Sequence, residues 1–123
     1  MTELLYKELT FRIIGAIFEV HKSIGPGFVE KIYEHALAEE LKLKKIPYEQ
    51  QKKISVCYKN KIVGYHILDF VIDDKVVLEL KSTPELLPVH DAQLISSLKA
   101  GKYRVGLLVN FAKKSVEHKR FVV

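Results

Sequence analysis

Residues 68–81 read Leu-Asp-Phe-Val-Ile-Asp-Asp-Lys-Val-Val-Leu-Glu-Leu-Lys, two apolar runs joined by a short polar segment. Each run is long enough for a β-strand, and the polar residues 73–75 favour a tight turn between them. Asp69 interrupts the first run, and Glu79 and Lys81 interrupt the second. Charged side chains in strands this apolar are costly to bury unless they are paired or functional. The stretch therefore predicts two antiparallel strands that carry a polar site.

The length of the turn decides whether the two acids meet. If the turn has three residues, Ile72 pairs with Val76, and Asp69 lies opposite Glu79 with Cβ atoms about 5 Å apart. Lys81 then points to the same side as Glu79, because residues two apart in a strand share a face. The other face is entirely apolar and holds Leu68, Phe70, Ile72, Val76, Leu78 and Leu80. A two-residue turn would put the carboxylates on opposite faces, so this segregation favours three residues.

Two carboxylates held side by side repel each other and favour binding of a hard cation such as Mg²⁺. A neighbouring lysine adds a positive charge that can orient a water molecule or neutralise a phosphate. The alternative is a buried Asp–Lys–Glu salt-bridge network with a purely structural role. The spacing of Asp69, Glu79 and Lys81 alone leaves both interpretations open.

The remaining elements follow from hydrophobic periodicity and from glycine and proline positions. Apolar stripes predict two helices before the strands and a third helix after them, in the order α-α-β-β-β-α-β-β. The predicted helices cover residues 4–22, 28–45 and 89–100, and the predicted strands cover residues 54–58, 62–72, 76–81, 104–111 and 116–122. The strand–helix–strand unit around the third helix implies one parallel crossover. We expect a single domain over residues 1–123.

Composition bounds the class of protein. The sequence has 123 residues, of which 48% are hydrophobic and 28% are charged, a balance typical of a globular domain. Cys57 is the one cysteine, so no intrachain disulfide can form, which suits a reducing cytosol. Charged residues interrupt the first 20 residues, and no apolar stretch is long enough to span a bilayer. We therefore expect a cytoplasmic protein with no membrane partner.

The net charge of +5 favours an anionic partner, of which nucleic acid is the commonest. The lysines are dispersed in small groups, so a merely solvated lysine-rich surface explains the charge equally well. Charge alone therefore does not decide between a nucleic-acid-binding surface and an ordinary one.

Several motifs together resemble a known family. Asp69 followed by Glu79-Leu80-Lys81, on strands that come after one helix and before another, resembles the PD-(D/E)XK nuclease superfamily and its α-β-β-β-α-β core. More narrowly, residues 27–33, Gly-Phe-Val-Glu-Lys-Ile-Tyr, resemble the signature of the GxxExxY proteins, small bacterial and archaeal members of that superfamily. Residues 25–27, 88–93 and 104–111 extend the resemblance over nearly the whole chain. The resemblance implies a restriction-endonuclease-like α/β fold with an extra N-terminal helix and a C-terminal edge strand.

The resemblance also implies roles for the residues on the strands. Asp69 and Glu79 would be metal ligands, and the backbone carbonyl of Leu80 would be a third. Lys81 would be the catalytic lysine. The implied cofactor is Mg²⁺ or Mn²⁺, and the implied substrate is nucleic acid, DNA in the first place, with RNA left open because nothing here reads a 2′-hydroxyl.

The resemblance assigns further roles on the helices. Glu30 would be the acidic residue that points at the metal from the helix before the sheet, and Glu34, one turn later, could replace it. Gln93 would support the site from the helix after the catalytic strand. Two positions depart from the superfamily pattern: Leu68 stands where proline precedes the aspartate, and Ser97 stands where tyrosine often follows the glutamine. The second departure puts substrate contact from that helix in doubt.

Tyr33 completes the signature, but it lies on the apolar stripe of the second helix. We therefore expect a core tyrosine whose hydroxyl is hydrogen-bonded near the site, and we expect Gly25 and Gly27 to supply turn geometry.

Three functions remain open at this point. The first is a metal-dependent nuclease that hydrolyses DNA phosphodiester bonds, acting as a homodimer or with a partner protein. The second is a non-catalytic binding or regulatory module that keeps the nuclease fold, because fold alone does not establish activity. The third is an unrelated α/β protein with a buried ion network.

Overall fold

The computed structural model describes residues 5–123, so residue 4 of the predicted first helix lies outside the described part. Secondary structure forms in the predicted order. The elements are α1 (Lys7–Ile24), α2 (Glu30–Leu43), β1 (Tyr48–Tyr58), β2 (Lys61–Ile72), β3 (Val76–Lys81), α3 (Pro88–Gly101), β4 (Val105–Asn110) and β5 (Glu117–Val122). No helix within residues 5–123 is long and apolar enough to cross a membrane.

One five-stranded sheet forms the middle layer, with the strands in the order β1-β2-β3-β4-β5. All neighbouring strands are antiparallel except β3 and β4, which are parallel and are connected through α3. The predicted parallel crossover is therefore confirmed. The restriction-endonuclease-like α-β-β-β-α-β core is also present, with α1 added before it and β5 forming an edge of the sheet.

Two apolar clusters hold the three layers together. The larger cluster joins α1 and α2 to one face of the sheet, and it includes the fully buried residues Ile17, Leu37, Phe70, Leu78 and Phe111. The smaller cluster joins α3 to the other face, and it consists of Leu68, Val71, Val77, Leu94, Leu98 and Leu108. Buried apolar surface on both faces of β3 and β4 explains why these strands are apolar almost throughout.

The turn between β2 and β3 has three residues, as the apolar segregation predicts. Ile72 pairs with Val76, and the turn residues Asp73 and Asp74 both adopt left-handed backbone conformations. The pairing continues only as far as Phe70 opposite Leu78. Beyond that point β2 and β3 form no further backbone pairs, although the side chain of Asp69 still reaches the backbone of Leu80.

The predicted apolar face needs one correction. Leu68 packs in the α3 cluster, whereas Phe70 packs in the α1–α2 cluster, although residues two apart in a regular strand share a face. The phase of alternation therefore changes between them, at Asp69. The neighbouring strand changes phase at the same level, because Gln51 adopts a left-handed conformation with φ +54°. Neither residue appears in the β1–β2 ladder, which continues on either side of them.

Past this phase change, β1 and β2 form a two-stranded arm, which we define as residues 52–68. Within the arm, β2 has β1 as its one neighbouring strand. Lys59 and Asn60 close the hairpin with positive φ angles of +48° and +66°, as a two-residue turn requires. The second strand was predicted to begin at residue 62, whereas β2 begins at Lys61. The first strand is also longer than predicted, because it begins at Tyr48.

Candidate metal centre

The centre of the site is the fork where β2 and β3 separate. Asp69 Oδ2 accepts a hydrogen bond of 2.8 Å from the backbone N–H of Leu80. The side chain of β2 thus satisfies a β3 donor at the level where the backbone ladder has ended. One oxygen of Asp69 is fixed in this way, and the side chain of Gln51, which donates to Glu34, also lies close enough to lower the pKa of Asp69.

Burial and mutual repulsion act on both strand carboxyls. Burial, followed by the negative charge of Asp69, raises the pKa of Glu79 to about 7. Burial also raises the pKa of Asp69, and the Leu80 N–H bond opposes that rise. Two acids with raised pKa values in one partly buried fork resemble the pattern of functional carboxyl groups.

Lys81 lies close enough for its charge to lower the pKa of both Asp69 and Glu79, but it is not the main influence on either. Among residues 5–123 it forms no close ion pair with either carboxylate, while eight such pairs occur elsewhere. The direct contacts of a structural Asp–Lys–Glu network are therefore missing, although the three charges share one region.

Helix α2 directs two acids toward the fork, and they differ in their surroundings. Glu34 is only 3% exposed, and it accepts hydrogen bonds from Nε2 of Gln50 at 2.5 Å and from Nε2 of Gln51 at 2.9 Å. Glu30 is half-buried and takes no hydrogen bond within the described part of the chain. Burial, followed by the charge of Asp69, raises the pKa of Glu30. Both predicted helix acids are thus near the strand acids.

The loop before α2 is tied to the sheet. Tyr33 is fully buried, and its hydroxyl donates to the carbonyl of Gly25 at 2.6 Å and accepts the N–H of Phe28 at 3.2 Å. The hydroxyl of Ser82, next to Lys81, donates to the Phe28 carbonyl at 2.8 Å. Gly25 and Gly27 both have positive φ angles, as expected for turn glycines. The signature tyrosine therefore acts by holding the loop that starts the helix at Glu30.

Gln93 lies in the first half of α3. Its side chain is exposed and borders a groove of about 410 Å³ between α3 and the arm, with Val56, His66 and Ser97 among the lining residues. It makes no hydrogen bond to Asp69, Glu79 or Lys81. Its supporting role in the site stays a prediction.

The donor set suits a cation that retains water ligands. Residues 5–123 contain no cluster of three or more His, Cys, Asp or Glu side chains arranged around one point as a preformed metal cage. Mg²⁺ does not need such a cage, because one or two carboxylates with several waters suffice. The pair Asp69 and Glu79 with the Leu80 carbonyl fits that requirement, and Glu30 adds a further carboxylate nearby.

Gln50 and Gln51 were missed by the sequence reasoning. They lie in a polar run from Glu49 to Lys53 that is typical of a solvated surface. Both amides nevertheless reach Glu34, because the left-handed backbone at Gln51 turns consecutive side chains toward the same helix. The one available signal was Glu34 on α2, because a carboxylate that becomes buried needs hydrogen-bond donors nearby.

Two solved structures resemble this fold. The crystal structure of SSO0001 has a TM-score of 0.61 and 20% sequence identity over 75% of this chain and 48% of that one. An alkaline exonuclease of Laribacter hongkongensis has a TM-score of 0.56 and 12% identity over 99% of this chain and 72% of that one. The chain spans about half the length of SSO0001. At these identities the likeness concerns the fold.

No curated protein matches the sequence. A family comparison does: residues 7–121 match the PD-(D/E)XK nuclease superfamily. This match covers nearly the entire sequence, includes the fork and agrees with the observed fold. The chain belongs to the PD-(D/E)XK nuclease superfamily.

Proposed function

We propose that this protein is a divalent-metal-dependent nuclease that hydrolyses phosphodiester bonds, in DNA in the first place. The observation that carries the proposal is the fork itself. Asp69 and Glu79 face each other's charge there with raised pKa values, and neither forms a close ion pair with a lysine or arginine of residues 5–123. A site built only for stability would pair these charges with Lys81 directly.

The ligands in this proposal are Asp69, Glu79 and the Leu80 carbonyl, with Glu30 reaching the same ion from α2. The hydrogen bond from the Leu80 N–H holds Asp69 in place before any ion arrives. A bound Mg²⁺ or Mn²⁺ would stabilise negative charge on a phosphate and make an attending water more acidic. The raised pKa of Glu79 means that cation binding and proton release are coupled near neutral pH.

Lys81 serves in the proposal as the catalytic lysine. Its ammonium has no close carboxylate partner in the described residues, so its three donors remain available to a phosphate oxygen or an attacking water. Its charge also favours the ionised form of Asp69 and Glu79. Loss of this charge would therefore affect turnover more than metal binding, because lysine is not a ligand.

The placement within the superfamily, the extent of the domain and the class of partner also belong to this proposal. The Gly27–Glu30–Tyr33 spacing, with Tyr33 bound to the loop and Glu30 near the fork, supports placement among the GxxExxY proteins. One sheet with a core on each face supports a single domain over residues 1–123. The net charge of +5 supports a phosphate-backbone partner.

The test is cleavage of a panel of single-stranded, duplex, branched DNA and RNA in Mg²⁺, Mn²⁺ or Ca²⁺. We expect cleavage with Mg²⁺ or Mn²⁺ and none with Ca²⁺, which prefers looser, higher coordination and activates water poorly. Lys81→Ala should abolish cleavage and keep metal binding, whereas Asp69→Ala and Glu79→Ala should lose both. Lys102→Ala and Asp74→Ala, exposed residues of the same charges, are the matched controls.

Metal binding without cleavage of any substrate would replace the nuclease by the non-catalytic binding or regulatory module. Absence of metal binding to the wild-type protein would remove the metal from the proposal altogether.

A further inference from the structure

The arm concentrates positive charge and aromatic surface. Residues 50–68 contain four lysines, namely Lys52, Lys53, Lys59 and Lys61, and no aspartate or glutamate. Two tyrosines of the arm are largely exposed, Tyr58 at 63% and Tyr65 at 60%. Positive charge interleaved with exposed aromatic rings is the composition of surfaces that bind single-stranded nucleic acid.

One face of the arm is open to solvent. Lys52 Nζ lies 5.7 Å from the ring centroid of Tyr103, a residue of the α3-side cluster, so Lys52 points toward α3. The next residue, Lys53, points to the opposite face, and its Nζ lies 4.2 Å from the ring centroid of Tyr65. Lys53 pairs with Ile67, which is also exposed on that face.

The open face leads to the candidate metal centre. The Gln51 side chain reaches Glu34 on α2, and Lys53 points to that side of the sheet too, because Lys52 before it points toward α3 on the other side. Tyr65 is four residues from Asp69, a distance of about 13 Å along an extended strand. That distance corresponds to about four nucleotides at the stacked spacing of one strand.

We propose that the arm binds a single strand of nucleic acid, with a base stacked on Tyr65 and a phosphate at Lys53. Delivery of that strand to Asp69 and Glu79 rests on the proposed function, but binding by the arm does not. The base must have a free face, which a base inside a duplex lacks because it stacks on a neighbour on each side. The preferred substrate is therefore a single strand or the frayed end of a duplex.

The lysines alone could serve only to prevent pairing with another chain, but exposed Tyr65 beside them argues against that explanation. Lysine on an exposed strand discourages edge-to-edge pairing with another chain. Exposed Tyr65 and Ile67 beside those lysines have the opposite effect, since apolar surface promotes association. Absence of acids from the arm argues against a second copy of the same surface as the partner, because the two arms would repel each other.

Fluorescence anisotropy in chelator tests the proposal without turnover. The probes are a labelled thymidine oligonucleotide of about 12 residues and the same strand with abasic sites in its middle. We expect Tyr65→Ala to weaken binding of the thymidine strand about tenfold and binding of the abasic strand by no more than about twofold. Lys53→Ala should weaken binding of both strands and lower the slope of log affinity against log salt by about 0.7.

The controls match these residues in type and not in place. Phe11→Ala removes an aromatic ring that is 78% exposed on α1, and Lys102→Ala removes an exposed lysine after α3. Neither should change affinity. Tyr65→Phe keeps the ring and should bind both strands as the wild-type protein does. Thermal melts of each variant verify that the arm is folded.

Equal loss of affinity for both strands in Tyr65→Ala would overturn the stacking contact. Unchanged affinity in both arm variants would overturn the arm as a binding surface. Sedimentation showing a dimer that Tyr65→Ala dissociates, with unchanged oligonucleotide affinity, would assign the surface to a second copy instead. If the arm variants behave as expected but no substrate is cleaved with metal, the binding inference stands and the proposed nuclease activity fails.

Discussion

Glu34 and Glu30 lie one helical turn apart on α2, and they differ in burial and in hydrogen bonding. Glu34 is buried and accepts two amide hydrogen bonds from Gln50 and Gln51. Glu30 is half-buried, takes no hydrogen bond in the described part of the chain and has a raised pKa. A satisfied buried acid stabilises a fold, whereas an unsatisfied one beside other acids favours an external cation. The comparison separates the acid that builds the fork from the acids available to a metal.

The largest expected effect is on stability. Glu34→Ala removes the acceptor of two amides at the level where β1 changes phase, and hydrogen bonds to a charged group contribute about 1.5–3 kcal/mol each. We expect the free energy of unfolding to fall by roughly 3–5 kcal/mol in urea denaturation. Glu30→Ala, the matched change one turn earlier, should cost less than about 0.5 kcal/mol. Equal losses of unfolding free energy in the two variants would show that Glu34 and Glu30 contribute equally to the fold.

The next effect is a pH dependence that belongs to the fork. The pKa of Glu79 is raised to about 7, so its contribution to stability is fully present below about pH 4.5 and is lost as the pH rises through 7. In chelator, the difference in unfolding free energy between wild type and Glu79→Gln should therefore change by up to about 3 kcal/mol between pH 4.5 and 8. A difference that stays constant over this range would mean that Glu79 titrates normally.

Metal should stabilise the protein by a comparable amount. Binding to the folded state alone adds about 2.7 kcal/mol when the ion is at 100 times its Kd. Glu30→Gln should reduce the stabilisation measured at a given metal concentration. Glu34→Gln should leave that stabilisation unchanged. Thermal melts against Mg²⁺ or Mn²⁺ concentration measure it. Stabilisation that persists in Asp69→Ala would place the ion elsewhere.

The smallest expected effect concerns Asp69. Asp69→Asn removes one of two repelling charges and keeps an oxygen that can accept the Leu80 N–H. The metal-free protein should gain stability, by no more than about 1 kcal/mol, or remain unchanged. Removal of one partner from a true buried salt bridge would instead cost about 3–5 kcal/mol. Denaturation of both proteins in chelator distinguishes these outcomes.

The sequence predicted the elements whose signal is local. The apolar runs and the polar turn at 73–75 placed β2, β3 and their register correctly. The start of β1 at Tyr48 was missed, because a polar run paired with β2 looks like a loop. The third helix was predicted to end at residue 100, but α3 includes Gly101 and the left-handed residue that caps it is Lys102. These errors arise where backbone conformation is set by tertiary contacts and not by residue type.

The acids of the site could be predicted from the sequence, but the residues that hold them in position could not. Asp69 and Glu79 stand out because they interrupt apolar strands. The placement of Leu68 depends on the phase change at Asp69, which is matched on β1 by Gln51, a non-glycine residue with positive φ that no pattern signals. The clamp around Glu34 depends on the same change. Long-range hydrogen bonding thus decides which face a side chain takes once the regular alternation fails.

The β1–β2 hairpin has a practical consequence for observing the protein. Cys57 is the one cysteine of the sequence, and it is exposed one residue before the end of β1, close to the Lys59–Asn60 turn. A thiol-reactive dye will therefore attach at a single known position without any mutation. Because that position is at the tip of the hairpin and far from the fork, a change in the dye's emission reports local events at the tip in an otherwise native chain.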